Sequence, residues 1–156
     1  PSPHCGGTHG LLPAMTLKAN VVLCKSLPPG SPVSYGRTHV TENRADIATI
    51  PIGYADGYSR ALANRAQVLV HGRRAPVVGR ICMDMCMVDV SGVDRPVSVG
   101  DEVVLFGRQG NAEIPIEEMA DWMGTINYEV TCLIGRRVPR AYMSDGTVGN
   151  VTNYLL

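Results

Sequence analysis

Lysine is almost missing from this 156-residue chain: Lys18 and Lys25 are the only two. Charge is sparse as a whole, at 18% of residues, and 14 basic side chains balance 14 acidic ones. Without a basic excess there is no electrostatic footprint for nucleic acid, and without an acidic tract there is no disordered acidic tail. No apolar run approaches the ~20 residues of a membrane-spanning helix, so no membrane partner is expected. No charged-then-apolar leader opens the chain, which starts at Pro1 rather than methionine, and a fragment or processed product is expected. Cys5, Cys24, Cys82, Cys86 and Cys132 are odd in number and irregular in spacing, which argues against a disulfide framework and for a reducing cytoplasm. Cys82 and Cys86, with His4, Cys5 and His9 far upstream, do not form the two tight ligand pairs of structural zinc, so no metal site is expected.

Catalytic signatures are also missing. There is no G-x-x-x-x-G-K-[ST] phosphate loop, no strand followed by G-x-G-x-x-G, no H-E-x-x-H and no G-x-S-x-G. His4, His9, His39 and His71 stand near no obvious nucleophile and read as surface or turn residues. These absences exclude a self-contained hydrolase or metalloenzyme. With 45% hydrophobic residues, the low charge instead suggests a domain with large surfaces buried against something else.

What is present reads as mostly β. Residues 1–13 carry three prolines and three glycines and read as a linker, leaving 14–156 as one β domain. Leu17, Ala19, Val21 and Leu23 alternate with polar residues as one half-buried strand, ended by Pro28-Pro29-Gly30. Val33 to Thr41 and Asp46 to Ile52 read as further strands. Val68 to Val70, His71-Gly72 and Ala75 to Val78 read as a hairpin. Met85 to Val90 and Glu102 to Phe106 are two more strands. A helix starts near Pro115, with Glu117 and Glu118 suited to its positive end, and Ile116, Met119, Ala120 and Met123 on one face. Gly124 is placed to cap it. A short second helix is expected from Asn127 to Ile134, and a last hairpin from Val138 to Val151 around Asp145-Gly146. Seven or eight close-spaced strands, with helices confined to the C-terminal third, predict a small β barrel or sandwich.

The residues that could carry chemistry are phenols, arginines and one Met-Asp pair. Tyr35 and Tyr54 each adjoin glycine, so backbone can pack close to a phenol at both places. Tyr58 and Tyr128 are further candidates. Arg60, Arg80, Arg136, Arg137 and Arg140 can grip carboxylate or phosphate bidentately. Gly79-Arg80-Ile81-Cys82-Met83-Asp84 sets a flexible residue, a cation and an acid within six positions. Taken singly, each of these is also what a strand edge or a structural salt bridge looks like.

Taken in order they form a pattern. VSYGRT (33–38), IPIGYADGYSR (50–60), VGRICMDM (78–85), VGDEVVLFGRQG (99–110), TINYEV (125–130) and RVPR (137–140) closely resemble the C-terminal domain of alanine racemase, from about Leu12 to Tyr142. Pro1-Ser2-Pro3 resembles the loop leaving that enzyme's barrel. The resemblance implies a homodimeric pyridoxal 5'-phosphate enzyme with an N-terminal (β/α)8 barrel that holds the cofactor on a lysine. It implies a C-terminal β domain reaching into the partner subunit's active site. On the matching positions, Tyr35 is implied as a catalytic base and the Met83 backbone N–H as the holder of the substrate carboxylate, with Asp84 beside it. Tyr128 is implied as a ligand of the cofactor phosphate and Tyr54 as the inner gate of the substrate channel. Arg60, Arg80 and Ile126 are implied along that channel.

Chemistry is consistent with such roles. Racemisation removes a proton from one face of Cα and returns one to the other, which two bases do better than one. A phenol acting as a base near neutral pH must in general drop by about three units, about 4 kcal/mol. Two bulky phenols at the mouth would reject larger side chains. Two features stand apart from the family pattern. Arg37 follows VSYG where small or polar residues are expected, and Cys82 and Cys86 bracket Met83-Asp84, where a thiol could be oxidation-sensitive or, as the better expectation, a buried inert residue. Neither lysine lies in anything like a cofactor-lysine motif. The isolated chain is therefore expected to be inactive alone, while the intact protein would supply D-alanine for bacterial cell-wall synthesis in the cytoplasm. Other readings are a racemase of serine, lysine or arginine with a wider gate, a decarboxylase of the same two-domain plan, and a non-enzymatic interaction or dimerisation module.

Overall fold

The computed structural model describes residues 10–155. Most of the expected linker, with His4, Cys5 and His9, lies outside the described residues. The strands in chain order are β1 (Leu17–Asn20), β2 (Leu23–Leu27), β3 (Pro32–Val33), β4 (His39–Val40), β5 (Ala45–Ile50), β6 (Gln67–Val70), β7 (Arg73–Val78), β8 (Cys86–Asp89), β9 (Glu102–Gln109) and β10 (Ala112–Ile114). Helices α1 (Ile116–Met123) and α2 (Asn127–Leu133) follow, then strands β11 (Arg140–Ser144) and β12 (Thr147–Thr152). The domain is mainly β, as expected.

One antiparallel sheet runs in the order β1-β9-β6-β7-β8-β5-β2, with β10 added to β9. Its two ends are the two halves of a single bent segment, because only Val21 and Val22 separate β1 from β2. The Val21 N–H donates to Asp101 O at 2.9 Å while the Val22 N–H donates to Thr49 O at 2.9 Å, so adjacent residues bond to opposite ends of the sheet. β7 is shared in the same way. Arg73–Pro76 pair with β6, and Val77–Val78 pair with β8. Pro76 has no N–H to donate and stands at that hand-over, where a ladder can lose a bond at little cost. Strands that change partners at a bend let a sheet fold over its own apolar face. The core lies inside this fold: Val21, Ile50, Leu69, Val88, Leu105, Phe106, Ile114 and Met119 are buried there. Among the described residues no closed barrel forms.

Two strand expectations are corrected. The single strand from Leu17 to Leu23 breaks at Val21-Val22, since burying Val21 while bonding to both sheet ends requires a bend. The strand from Val33 to Thr41 is two short strands around a tight turn at Tyr35–Arg37, in which Ser34 (φ 64°), Gly36 (φ 71°) and Arg37 (φ 52°) all have positive φ. An extended chain cannot hold three such residues.

Both expected two-residue hairpins form. His71 (φ 51°) and Gly72 (φ 74°) join β6 to β7, and Asp145 (φ 49°) and Gly146 (φ 77°) join β11 to β12. Paired positive φ values match the right-handed twist of the flanking strands. Gly124 caps α1 at φ 74°, and its N–H donates to Ala120 O and Asp121 O. Glu118 in the first turn of α1 meets Arg74 of β7 through a forked ion pair, which holds the Glu118 carboxyl below its usual range.

Candidate functional site

Four segments converge: the Tyr35 turn, the loop around residues 53–58, the β7–β8 loop, and α2 with the chain that leaves it. Backbone contact locks them. The Tyr54 N–H donates to Cys82 O at 3.1 Å and the Ala55 N–H to Met83 O at 3.0 Å. That approach is possible because residue 53 is glycine; a Cβ there would lie 2.3 Å from the Cys82 and Met83 carbonyl oxygens. Gly57, at φ 101°, lets Leu133 of α2 approach in the same way, with its carbonyl oxygen 2.1 Å from where a Cβ would stand. The Gly135 N–H donates to Asp56 O at 3.1 Å, tying the α2 exit to the same loop.

The Tyr35 turn is anchored from the other side. Ser34 donates its hydroxyl to Arg80 O at 2.6 Å, and its Oγ stands 3.6 Å from Cys82 Sγ. Gly79 (φ 74°) accommodates the Ser34 side chain and the Val33 carbonyl, each 2.8 Å from a would-be Cβ. The Arg80 guanidinium passes under Gly36. The phenol of Tyr35 is left 73% exposed. Ser34 combines φ 64° with ψ −178°, a region otherwise reserved for glycine, at a cost of about 1–3 kcal/mol that the surrounding contacts must offset.

Met83 and Asp84 form the tip of the β7–β8 loop, which the Cys82 N–H closes by donating to Met85 O at 2.9 Å. The Cys82 and Met83 carbonyls are taken by the Tyr54 and Ala55 amides. The Met83 N–H has no acceptor among the described residues. Asp84 is held by Arg137, which donates from Nη2 to Asp84 Oδ1 at 2.6 Å and reaches Asp56 Oδ1 from Nε at 3.3 Å. The two carboxylates raise the Arg137 pKa, Asp84 first. Asp56 is 7% exposed and also accepts the Gly53 N–H at 2.9 Å. The sequence alone does not single out Asp56 or Ser34; it presents Arg137 as an anion binder, and the anions it binds are this chain's own carboxylates.

The other candidates distribute as follows. Tyr54, Ile126 and Tyr128 present exposed surface on the converging segments, and Met83 and Met85 are exposed as well. Arg60 and Arg80 line one open cleft of about 470 Å³ with Thr38, Ala61, Ala63, Asn64 and Ile81. Tyr58 does not join the site: it is fully buried in the core, and its hydroxyl has no hydrogen-bond partner among the described residues. Burial pushes both the Tyr58 phenol and the Cys86 thiol up. Cys86 is the buried residue of the bracketing pair, and Cys24, Cys82, Cys86 and Cys132 are all free thiols. Among the described residues no cluster of His, Cys, Asp or Glu could hold a metal ion.

A family model described as the alanine racemase C-terminal domain matches residues 14–142. The chain belongs to this family. The alanine racemase of Desulfovibrio desulfuricans is 55% identical over 92% of this chain. An alanine racemase of Clostridium difficile 630, solved in complex with cycloserine, superposes with a TM-score of 0.86 at 46% identity over 94% of this chain and 38% of that one. The alanine racemase of Bartonella henselae, solved with covalently bound pyridoxal phosphate, superposes with a TM-score of 0.73 at 34% identity over 78% of this chain and 33% of its own. The chain spans about 38% of the length of the curated relatives it matches. Among the described residues no helix is long and apolar enough to cross a membrane.

Proposed function

We propose that this domain forms one wall of the active site of a pyridoxal-phosphate alanine racemase that interconverts L- and D-alanine by two bases. Tyr35 is the proton carrier on one face of Cα. The Met83 N–H holds the substrate carboxylate, with Asp84 beside it, and a main-chain donor suits a substrate as small as alanine. Tyr54 narrows the inner gate, Tyr128 contacts the cofactor phosphate, and Arg60, Arg80 and Ile126 line the approach. The observation that carries this reading is the interlocked set of loops that bears the exposed Tyr35 phenol and, at exposed Met83, a backbone N–H with no acceptor among the described residues. A second support is the group of exposed apolar residues there, because an exposed patch of that kind marks a contact surface.

The cofactor, when bound, supplies the electron sink that makes the Cα proton removable. The residues present fit its edge but not its anchor. Lys18 is paired with Glu102 at 2.9 Å across β1 and β9, and Lys25 lies on β2, so neither stands among the site residues. The cofactor lysine and the base on the face opposite Tyr35 would then lie on an N-terminal barrel domain. In the intact homodimer, Tyr35 would enter the site of the partner subunit. The product would serve cell-wall synthesis in a bacterial cytoplasm.

The test is complementation. This chain is mixed with a separately expressed, cofactor-bearing barrel, and L- to D-alanine exchange is followed, with Tyr35→Phe beside it. The chain alone is expected to show no exchange. The mixture is expected to show it, and Tyr35→Phe to lose about a hundredfold or more. Unchanged exchange with Tyr35→Phe rejects the role given to Tyr35.

A further inference from the structure

We propose that Ser34 is the positioning residue that aims the Tyr35 phenol, through a strained backbone pinned by its hydroxyl to the Arg80 carbonyl. This rests on the reading of Tyr35 as proton carrier. Ser34 precedes Tyr35 and holds φ 64°, ψ −178°, a conformation that side chains avoid. Such a conformation persists only where neighbours over-determine it. Here the neighbours are named: Ser34 Oγ donates to Arg80 O at 2.6 Å, Gly79 leaves room for the Ser34 Cβ, and the Arg80 guanidinium lies 3.2 Å from where a Gly36 Cβ would stand. The residue before Tyr35 is thus bonded to the segment that leads into the Met83 loop, and the residue after it packs close to the Arg80 side chain. A phenol that is itself 73% exposed gains its direction from this backbone. The device links the proton carrier to the substrate-carboxylate donor through two residues, Arg80 and Cys82. Proton transfer is steep in geometry, and a displacement of about 1 Å can cost a hundredfold in rate.

The test uses the full-length protein that carries this domain, with Ser34→Ala, Ser34→Gly and Tyr35→Phe. Ser34→Gly removes the hydroxyl but accepts the backbone conformation, so its folding is not at risk. Both Ser34 variants are expected to lower kcat by about ten- to a hundredfold while KM for alanine moves by less than about threefold. The primary isotope effect with 2-deuterated alanine is expected to rise for one enantiomer only, because only one direction begins with proton removal at Tyr35. In the cofactor-free protein, the Tyr35 and Gly36 amide resonances are expected to broaden by μs–ms exchange in both variants. Wild-type kcat in both variants, or an isotope effect that rises equally for both enantiomers, overturns the proposal. Full activity in Tyr35→Phe removes its premise, and that result is separate from the Ser34 outcome.

Discussion

A methyl group on Gly53 would lie 2.3 Å from two carbonyl oxygens, and neither can retreat without breaking the bond it accepts from Tyr54 or Ala55. Gly53→Ala is therefore expected to push the Met83 loop away from the Tyr54 turn. In the full-length protein, activity should fall by about a hundredfold, more than the loss in thermal stability would account for. Steady-state kinetics beside a melting curve checks this; a melting shift with unchanged kcat/KM would show that the two loops need not meet. Cys86 sits at the opposite extreme of exposure. Its thiol is buried and its pKa is pushed up by desolvation, then by Cys82, so it stays protonated and shielded. Iodoacetamide at neutral pH is expected to label exposed Cys132 in the native protein and Cys86 only after denaturation, as read by peptide mass spectrometry.

At the scale of elements, α1 ends because Gly124 adopts φ 74° and turns its N–H back onto Ala120 and Asp121. Alanine pays for that conformation in strain. Gly124→Ala should destabilise by about 1 kcal/mol, lowering Tm by about 2–4 °C for a domain of this size. The bend between β1 and β2 has its own support. Asp101 accepts the Val21 N–H on its carbonyl and the Ser98 N–H on Oδ2 at 2.9 Å, and His71 Nε2 stands 2.9 Å from the same oxygen. The Ser98 amide, then His71, hold the Asp101 carboxyl below its usual range. A carboxyl with a lowered folded-state pKa contributes stability that is present above about pH 4 and is lost as the pH falls through its folded value. Urea midpoints should therefore differ between wild type and Asp101→Asn at pH 7, with the gap shrinking at pH 3. A gap independent of pH would show that the ionised carboxyl is not what matters.

For the whole molecule, the decisive feature is a set of exposed apolar residues on a domain that spans about 38% of its relatives' length. Tyr35 is largely exposed, and Met83, Met85, Ile126 and Tyr128 are each about half exposed. The β11–β12 hairpin also exposes Tyr142, Met143, Val148 and Val151. Apolar surface of this extent favours association. The separated chain is expected to self-associate with rising concentration in analytical ultracentrifugation, and to do so less when a complementary barrel is added. A concentration-independent monomer would argue that these faces are not contact surfaces.

Local chemistry alone determined much of this protein. His71-Gly72 and Asp145-Gly146 turn because glycine adopts positive φ freely and His and Asp tolerate it better than most residues, and Pro115 and Gly124 bound a helix for similarly local reasons. The ordered motifs around Tyr35, Tyr54, Met83 and Tyr128 were legible because each is a short string of unusual residues. The three-residue strand β10 is too short to show alternation in the sequence. Only the tertiary structure decided that Val33–Thr41 is not one strand, since Ser34 and Arg37 take positive φ against their own preference, and Ser34 is held there by the Arg80 carbonyl 46 residues away in sequence. It also decided that Tyr58 is core and Tyr35 surface, although both are tyrosines beside a small residue. Arg137 found its partners 53 residues back at Asp84 and further back at Asp56. Contacts of that range depend on which loops the bent sheet brings together, and no spacing along the chain encodes them.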